Sequence, residues 1–277
     1  MHQGPPGAGD VQPVKSAART LAILEALAAG PQRQSLGELR RRLDIPKSSL
    51  HALLRTMQAA GWVEDDGSGA RFGLGLRALR VGTAYVDADD VVGTTAPILD
   101  DLAAEFDETV HLGRLDGHDV IYLAKRESRQ SLRLFSAVGR RLPTYATALG
   151  KALLAEQPKD RLEDHLPAEL QALTAHTITD VEHLMSDLVE TRRRGYALDH
   201  EESTVGLVCI AVALPLARPP VDAISCSVPT ARLDEERERL IVDRLLDARR
   251  HLAASVPRSM TRGPDASVKG SGRAAEP

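Results

Sequence analysis

The sequence predicts an α+β protein of two domains: a small helical module closed by a hairpin, then a linker helix, then a larger α/β domain with a mainly antiparallel sheet. Three observations predict it. The chain has 277 residues, more than one average domain requires. Residues 11–75 read as three short amphipathic helices followed by a hairpin. Strand and helix patterns then alternate over residues 94–255, behind a linker helix over 76–93.

In the first module, Ala17, Leu21, Leu24 and Ala28 recur at helical spacing until Gly30-Pro31 stops the pattern. Ser35 followed by Glu38 is a capping box, with Leu36, Leu39 and Leu43 as the inward stripe behind it. Pro46 fits the first position of a third helix, where its missing N–H costs nothing, and Leu50, Leu53, Leu54 and Met57 form that helix's buried face. Trp62-Val63-Glu64, the turn Asp65-Asp66-Gly67-Ser68-Gly69 and Arg71-Phe72-Gly73-Leu74 complete a hairpin. Three helices and a hairpin in this order make a winged helix-turn-helix.

Leu76, Leu79, Ala84 and Val86 mark the linker helix, and Ala96, Leu99, Leu102, Ala103 and Phe106 the next one. Strands are expected at Thr109–Arg114 and Val120–Ala124, joined by Asp116-Gly117-His118, and near Leu132–Phe135, Tyr196–Asp199, Cys209–Leu214 and Ala223–Val228. Helices near Thr147–Glu156, Val181–Arg193 and Leu233–Ala254 alternate with them. The stretches 1–10 and 256–277 are small, polar or Gly/Pro-rich and are expected to be disordered tails.

Composition narrows the function. Aromatic residues are only 3% of the chain, so Leu, Ala and Val must fill the cores. The longest apolar run, Val205 to Ala217, is shorter than the roughly 20 residues that span a bilayer. No basic and then apolar leader opens the chain, so a cytoplasmic protein is expected, with no membrane partner. Cys209 and Cys226 therefore read as reduced core residues. No Cys or His pair has ligand spacing, and neither metal nor cofactor is expected. The net charge of −4 hides an asymmetry, because residues 11–77 carry +4 and the remainder −8. A basic module on an acidic body points to a polyanion at one end.

On the third helix Lys47, His51, Arg55 and Gln58 share the face opposite the leucines. A recognition helix reads base edges from its N-terminal half, which makes Lys47, Ser48, Ser49, His51 and Arg55 the candidate DNA-binding residues. A polar outward face alone is only a solvated helix. Here it coincides with a capped helix, a tight turn, a hairpin and the basic charge. In the wing, Asp65 and Asp66 would repel phosphates, leaving Arg71 as its one candidate contact. Arg40, Arg41 and Arg42 are read as solvated charges outside the site.

These residues resemble the isocitrate lyase regulator (IclR) family. The resemblance is carried in the first module by Val14–Leu24, Ile45–Leu54 and Phe72–Gly75. In the second domain it is carried by Glu108–Leu112, Gly139–Pro143, Ala146–Ala152, Arg193–Ala197 and Asp199–Glu202. It covers about residues 11–255. The resemblance implies a transcriptional regulator of carbon metabolism, a repressor before an activator, that binds double-stranded DNA at a palindromic operator as a homodimer or homotetramer. It also implies a GAF/profilin-like domain that binds a small organic acid or aromatic metabolite near Ala148, Leu149, Gly150, Asp199, Cys209, Ser225 and Ser227. Free amides at the start of a helix would suit a carboxylate there, and Ser225 and Ser227 alternate onto one face of a strand. The sequence departs from the family pattern at Val208, where Arg is usual, and at Tyr145, where His is common.

Two other classes compete. His111, Asp199 and Ser225 could be imagined as a catalytic set, yet no nucleophile elbow, phosphate-binding loop or zinc-protease motif accompanies them. Alternatively, the winged helix could bind a protein partner in place of DNA.

Overall fold

The computed structural model describes residues 13–132 and 136–255, in two compact units that divide between Ala88 and Asp89. Both expected tails lie outside the described residues. So does most of the strand expected at Leu132–Phe135, and Leu132 itself sits in a bend.

The first unit runs α1 (Lys15–Ala29), β1 (Gln34–Ser35), α2 (Leu36–Leu43), α3 (Lys47–Ala59), β2 (Val63–Asp65), β3 (Arg71–Leu74) and α4 (Leu76–Asp87). The capping box forms at α2: Glu38 N–H donates to Ser35 Oγ at 3.2 Å, and Ser35 N–H to Glu38 Oε2 at 2.6 Å. Asp44 ends α2 in the left-handed region with φ 44°, which turns the chain toward α3. Pro46 stands one position earlier than expected, as the N-cap of α3, and its carbonyl accepts from Leu50 N–H at 2.9 Å. Ile23, Leu27, Leu39, Leu50, Leu54, Met57 and Phe72 close the core.

Arg42 is exposed, yet it is more than a solvated charge. It donates at 3.1 Å both to the Ala26 carbonyl and to Gln34 Oε1, tying the end of α1 to α2. The hairpin pairs Val63 with Leu74, and β1, which the sequence did not suggest, adds on the far side of β3. The linker helix also differs from expectation. It stops at Asp87, and Asp89 accepts from the amides of Val91 and Val92 to cap α5 (Asp90–Phe106), so residues 90–93 belong to that helix.

The second unit continues with β4 (Thr109–Asp116), β5 (Asp119–Arg126), β6 (Arg141–Pro143), α6 (Ala148–Glu156), α7 (Val181–Arg194), β7 (Ala197–His200), β8 (Leu207–Ala213), β9 (Asp222–Pro229) and α8 (Glu235–Ser255). The strands form one antiparallel sheet in the order β6-β5-β4-β9-β8-β7. Helices α5 and α8 cover one face, packing Leu99, Phe106, Ile241 and Leu245 against Val110, Leu112, Ile210 and Ile224. On the other face Cys209, Ala211, Ala213 and Ala223 are small, which lets α6 press close through Ala148, Leu149, Ala152 and Leu153. Cys209 and Cys226 are both free buried thiols.

Helix α6 also carries Lys151, only 1% exposed, whose Nζ lies 2.5 Å from Glu202 Oε1 and 3.0 Å from Asp187 Oδ2. It thereby joins α6 to α7 and to the loop after β7. Removing one partner of a buried ion pair leaves the other charge uncompensated, which typically costs about 3–5 kcal/mol. Lys151→Met is therefore expected to lower the urea midpoint of the second unit strongly, and Lys151→Met/Glu202→Gln to recover part of the loss. Unchanged unfolding in Lys151→Met would show that the pair does not hold the fold.

Candidate DNA-reading face and ligand cleft

Leu50, Leu54 and Met57 turn α3 inward, so that Lys47, Ser48, His51 and Arg55 are exposed, with Ser49 half-buried on the flank. Lys47, Ser48, His51 and Arg55 make no hydrogen bond or ion pair among the described residues. Gln58, in the same row by spacing, is committed instead: its amide donates to Asp65 Oδ2 at 2.8 Å and joins α3 to the hairpin.

Arg71 is turned toward its own module, donating to the Arg33 carbonyl at 3.0 Å and standing 3.7 Å from Glu38. The two wing acids build the turn. Asp65 Oδ1 accepts from Gly67 N–H at 2.7 Å, and Asp66 Oδ1 accepts from the Ser68 amide and hydroxyl, which holds the Asp66 carboxyl below its ordinary range.

The second unit has a cleft of about 380 Å³, its mouth included, at the start of α6. Of the seven expected ligand residues, Ala148, Leu149, Asp199, Cys209 and Ser225 line it. Tyr122, Arg140, Leu142, Ser203 and Leu207 join them. Gly150 and Ser227 are not among the lining residues. The Gly150 amide is spent on Thr147 Oγ1 at 3.1 Å, and a Cβ there would meet the Thr144 carbonyl oxygen at 2.1 Å, so the glycine serves close packing. Ser227 Oγ accepts from the Cys209 thiol at 3.3 Å.

Asp199 Oδ1 accepts from the amides of Glu202 and Ser203 at 2.7 and 3.2 Å, and Oδ2 from the Ser203 hydroxyl at 2.6 Å. Burial nevertheless pushes its carboxyl upward, and raises the Cys209 thiol well above its ordinary range. His111 is the register partner of Ser225 across β4 and β9, but no hydrogen bond joins its ring to Ser225 or to Asp199. It stacks on Tyr122 with ring centroids 4.3 Å apart, and its Nε2 is 2.7 Å from Ser136 Oγ. The two departures from the family pattern also lie elsewhere. Val208 is buried on β8 without lining the cleft, and the Tyr145 hydroxyl bonds to the backbone of Gln171.

Tyr122 and Arg140 were not anticipated as cleft residues. Tyr122 sits on a strand buried on both faces, where alternation is faint, and Arg140 reaches the cleft from the turn into β6, an element absent from the sequence reading.

Comparison with known families decides the lineage. A model of the bacterial transcriptional regulator IclR C-terminal domain matches residues 83–254, and one of the IclR helix-turn-helix domain matches residues 16–67. The chain belongs to the IclR family. It is 34% identical over 252 residues to the transcriptional regulator KdgR of Escherichia coli, covering 89% of this chain and 95% of that one. It is 34% identical over 236 residues to the transcriptional repressor IclR of the same organism, covering 84% and 85%. Among solved structures, an IclR transcriptional regulator from Alicyclobacillus acidocaldarius matches with a TM-score of 0.77 at 27% identity, over 87% of this chain and 98% of that one. Like other IclR regulators, the protein pairs an N-terminal DNA-binding helix-turn-helix with a C-terminal effector domain. Among the described residues no helix is long and apolar enough to cross a membrane, and no group of three or more His, Cys, Asp or Glu could hold a metal ion.

Burial, helped by the charges of Lys125 and Arg140, pulls His111 down to about 3. Folded protein therefore refuses a proton that the unfolded chain accepts below about pH 6.5. Stability conferred by the neutral ring is full above that pH and declines as pH falls toward 3, by about 1.4 kcal/mol per pH unit. In urea titrations at pH 7, 6, 5 and 4, His111→Gln is expected to be destabilised overall but to lose stability less steeply with acid than the parent. Equal slopes would mean that His111 is not the acid-sensitive group.

Proposed function

We propose that this IclR-family protein is a cytoplasmic repressor of a metabolic operon that grips a palindromic operator as a homodimer and responds to a small organic acid or aromatic metabolite held at the α6 cleft. The observation that carries the DNA half is the row Lys47, Ser48, His51 and Arg55, exposed along α3 with their donors uncommitted. The repressor sense follows relatives named as repressors, the E. coli IclR and the Salmonella typhimurium acetate operon repressor, both 34% identical to this chain.

For the effector half, the cleft offers helix-start amides, hydroxyls and a carboxylate within apolar walls. It favours binding over turnover. His111, the register partner of Ser225, has its Nε2 hydrogen-bonded with Ser136 Oγ, and the Asp199 carboxylate is occupied by its own loop, so no hydrogen bond links either group to Ser225. The dimer reading rests on α4, which has no buried residue and presents Leu76 and Leu79 at 66% and 60% exposure.

Arg55→Ala and Lys47→Ala are each expected to lower affinity for DNA from upstream of the protein's own gene by about 1–3 kcal/mol, with a shallower salt dependence. Fluorescence anisotropy measures both, and parental affinity in the two variants would remove α3 as the reading helix. Leu76→Asp/Leu79→Asp is expected to yield monomers in sedimentation equilibrium and to lose tight operator binding. A dimer that persists would place the interface elsewhere.

A further inference from the structure

Building on the reading of α3 as the helix that meets DNA, we propose that the hairpin is a brace and not a phosphate-gripping wing: Asp65 and Arg71 are positioning residues that hold α2 and α3 at the angle base reading requires.

The turn from Asp44 to Pro46 connects the end of α2 to the start of α3, which leaves the start of α2 and the end of α3 apart. The hairpin closes that opening with one strand on each helix. On the α3 side, Trp62 N–H donates to the Met57 carbonyl at 2.9 Å, and the Gln58 amide donates to Asp65 Oδ2 at 2.8 Å. On the α2 side, Arg71 pairs in register with Ser35, the N-cap of α2, and its guanidinium donates to the Arg33 carbonyl at 3.0 Å. β3 also lies close against the approach to α2, since a Cβ on Gly73 would meet the Gln32 carbonyl oxygen at 2.8 Å. Because β2 and β3 are paired with each other, the two helices, their turn and the hairpin form a closed triangle. Its angle at the turn cannot widen without breaking one of these bonds.

Charge argues against the other role. Residues 63–74 carry Glu64, Asp65 and Asp66 against Arg71 alone, and that arginine is aimed at its own module. A wing that grips phosphates needs the opposite sign. The Asp65 carboxylate instead reaches Gln58 through Oδ2 and the Gly67 amide through Oδ1 at 2.7 Å, so one side chain both shapes the turn and ties it to α3. Glu38 lies 3.7 Å from Arg71, but both side chains are partly exposed, and the carbonyl bond is the stronger tie.

Hydrogen bonds to base edges have narrow geometry, whereas attraction between cations and phosphates survives small changes of angle. A brace therefore contributes to discrimination between sequences and not to general affinity for DNA.

Fluorescence anisotropy of the full chain over a salt series separates the two roles, with DNA from upstream of the protein's own gene and a random-sequence duplex of equal length. For Arg71→Gln and Gln58→Ala, operator binding is expected to weaken roughly five- to tenfold, with random-duplex binding within about twofold of the parent and an unchanged slope of log affinity against log salt. Gln58→Ala/Asp65→Ala is expected to cost no more than Asp65→Ala alone, because the two side chains act through one bond. Circular dichroism checks that each variant is folded, and Gln58→Ala, which leaves the Asp65 turn intact, carries the test if Asp65→Ala is not.

A slope shallower by about 0.9 for each arginine removed, with equal loss on both duplexes, would make Arg71 a phosphate contact and overturn the proposal. Parental operator affinity in Arg71→Gln and Gln58→Ala overturns it too, as does a gain on both duplexes in Asp65→Ala. The reading of α3 fails separately, through parental operator affinity in Lys47→Ala and Arg55→Ala or a parent that binds both duplexes alike.

Discussion

Lys151 carries a positive charge into a helix with no exposed residue, and much of the second domain is arranged to keep that charge paired. Its partner Glu202 is itself held. The Glu202 carbonyl accepts from the Thr177 hydroxyl at 2.7 Å, and its amide donates to Asp199. The two ion pairs of Lys151 thus fix the start of α6, the middle of α7 and the wall of the cleft together. Burial pushes the Glu202 carboxyl upward, and Lys151 opposes that shift by favouring the charged form. Such an arrangement contributes less net stability than its short distances suggest, but it specifies one position for the loop, because every alternative strands a charge in the core.

The first domain works by the opposite rule. Its structural cations are committed, Arg42 to the end of α1 and Arg71 to the Arg33 carbonyl, while the donors along α3 are left open to solvent. Side chains that hold the module and side chains left open along α3 are therefore different residues. The same division appears in the cleft. Thr147 and Gly150 shape the start of α6, and Ser225 and Tyr122 face the space with their hydroxyls unused.

What could be read in the sequence was whatever is encoded locally. The capping box at Ser35 and Glu38 and the leucine row of α3 depend on residues three or four apart, and both are present as expected. Elements defined by distant partners were not legible. Strand β1 is two residues that become a strand only because β3 lies beside them, and β6 is three residues completed by β5. Five cleft residues were anticipated through family resemblance. Gly150 and Ser227 do not line the cleft, and their polar atoms are claimed by Thr147 and Cys209, a competition visible only once the chain is folded. The bond from Gln58 to Asp65 was equally illegible, since periodicity cannot say that Asp65 waits across the turn.

The acidic turn of the hairpin bears on how DNA is bound. Asp65 and Asp66 are needed to shape that turn, so the wing tip cannot shed their charge, and Arg71 beside it is engaged. With α3 as the proposed reading helix, the wing then adds little counterion release of its own when the duplex is bound.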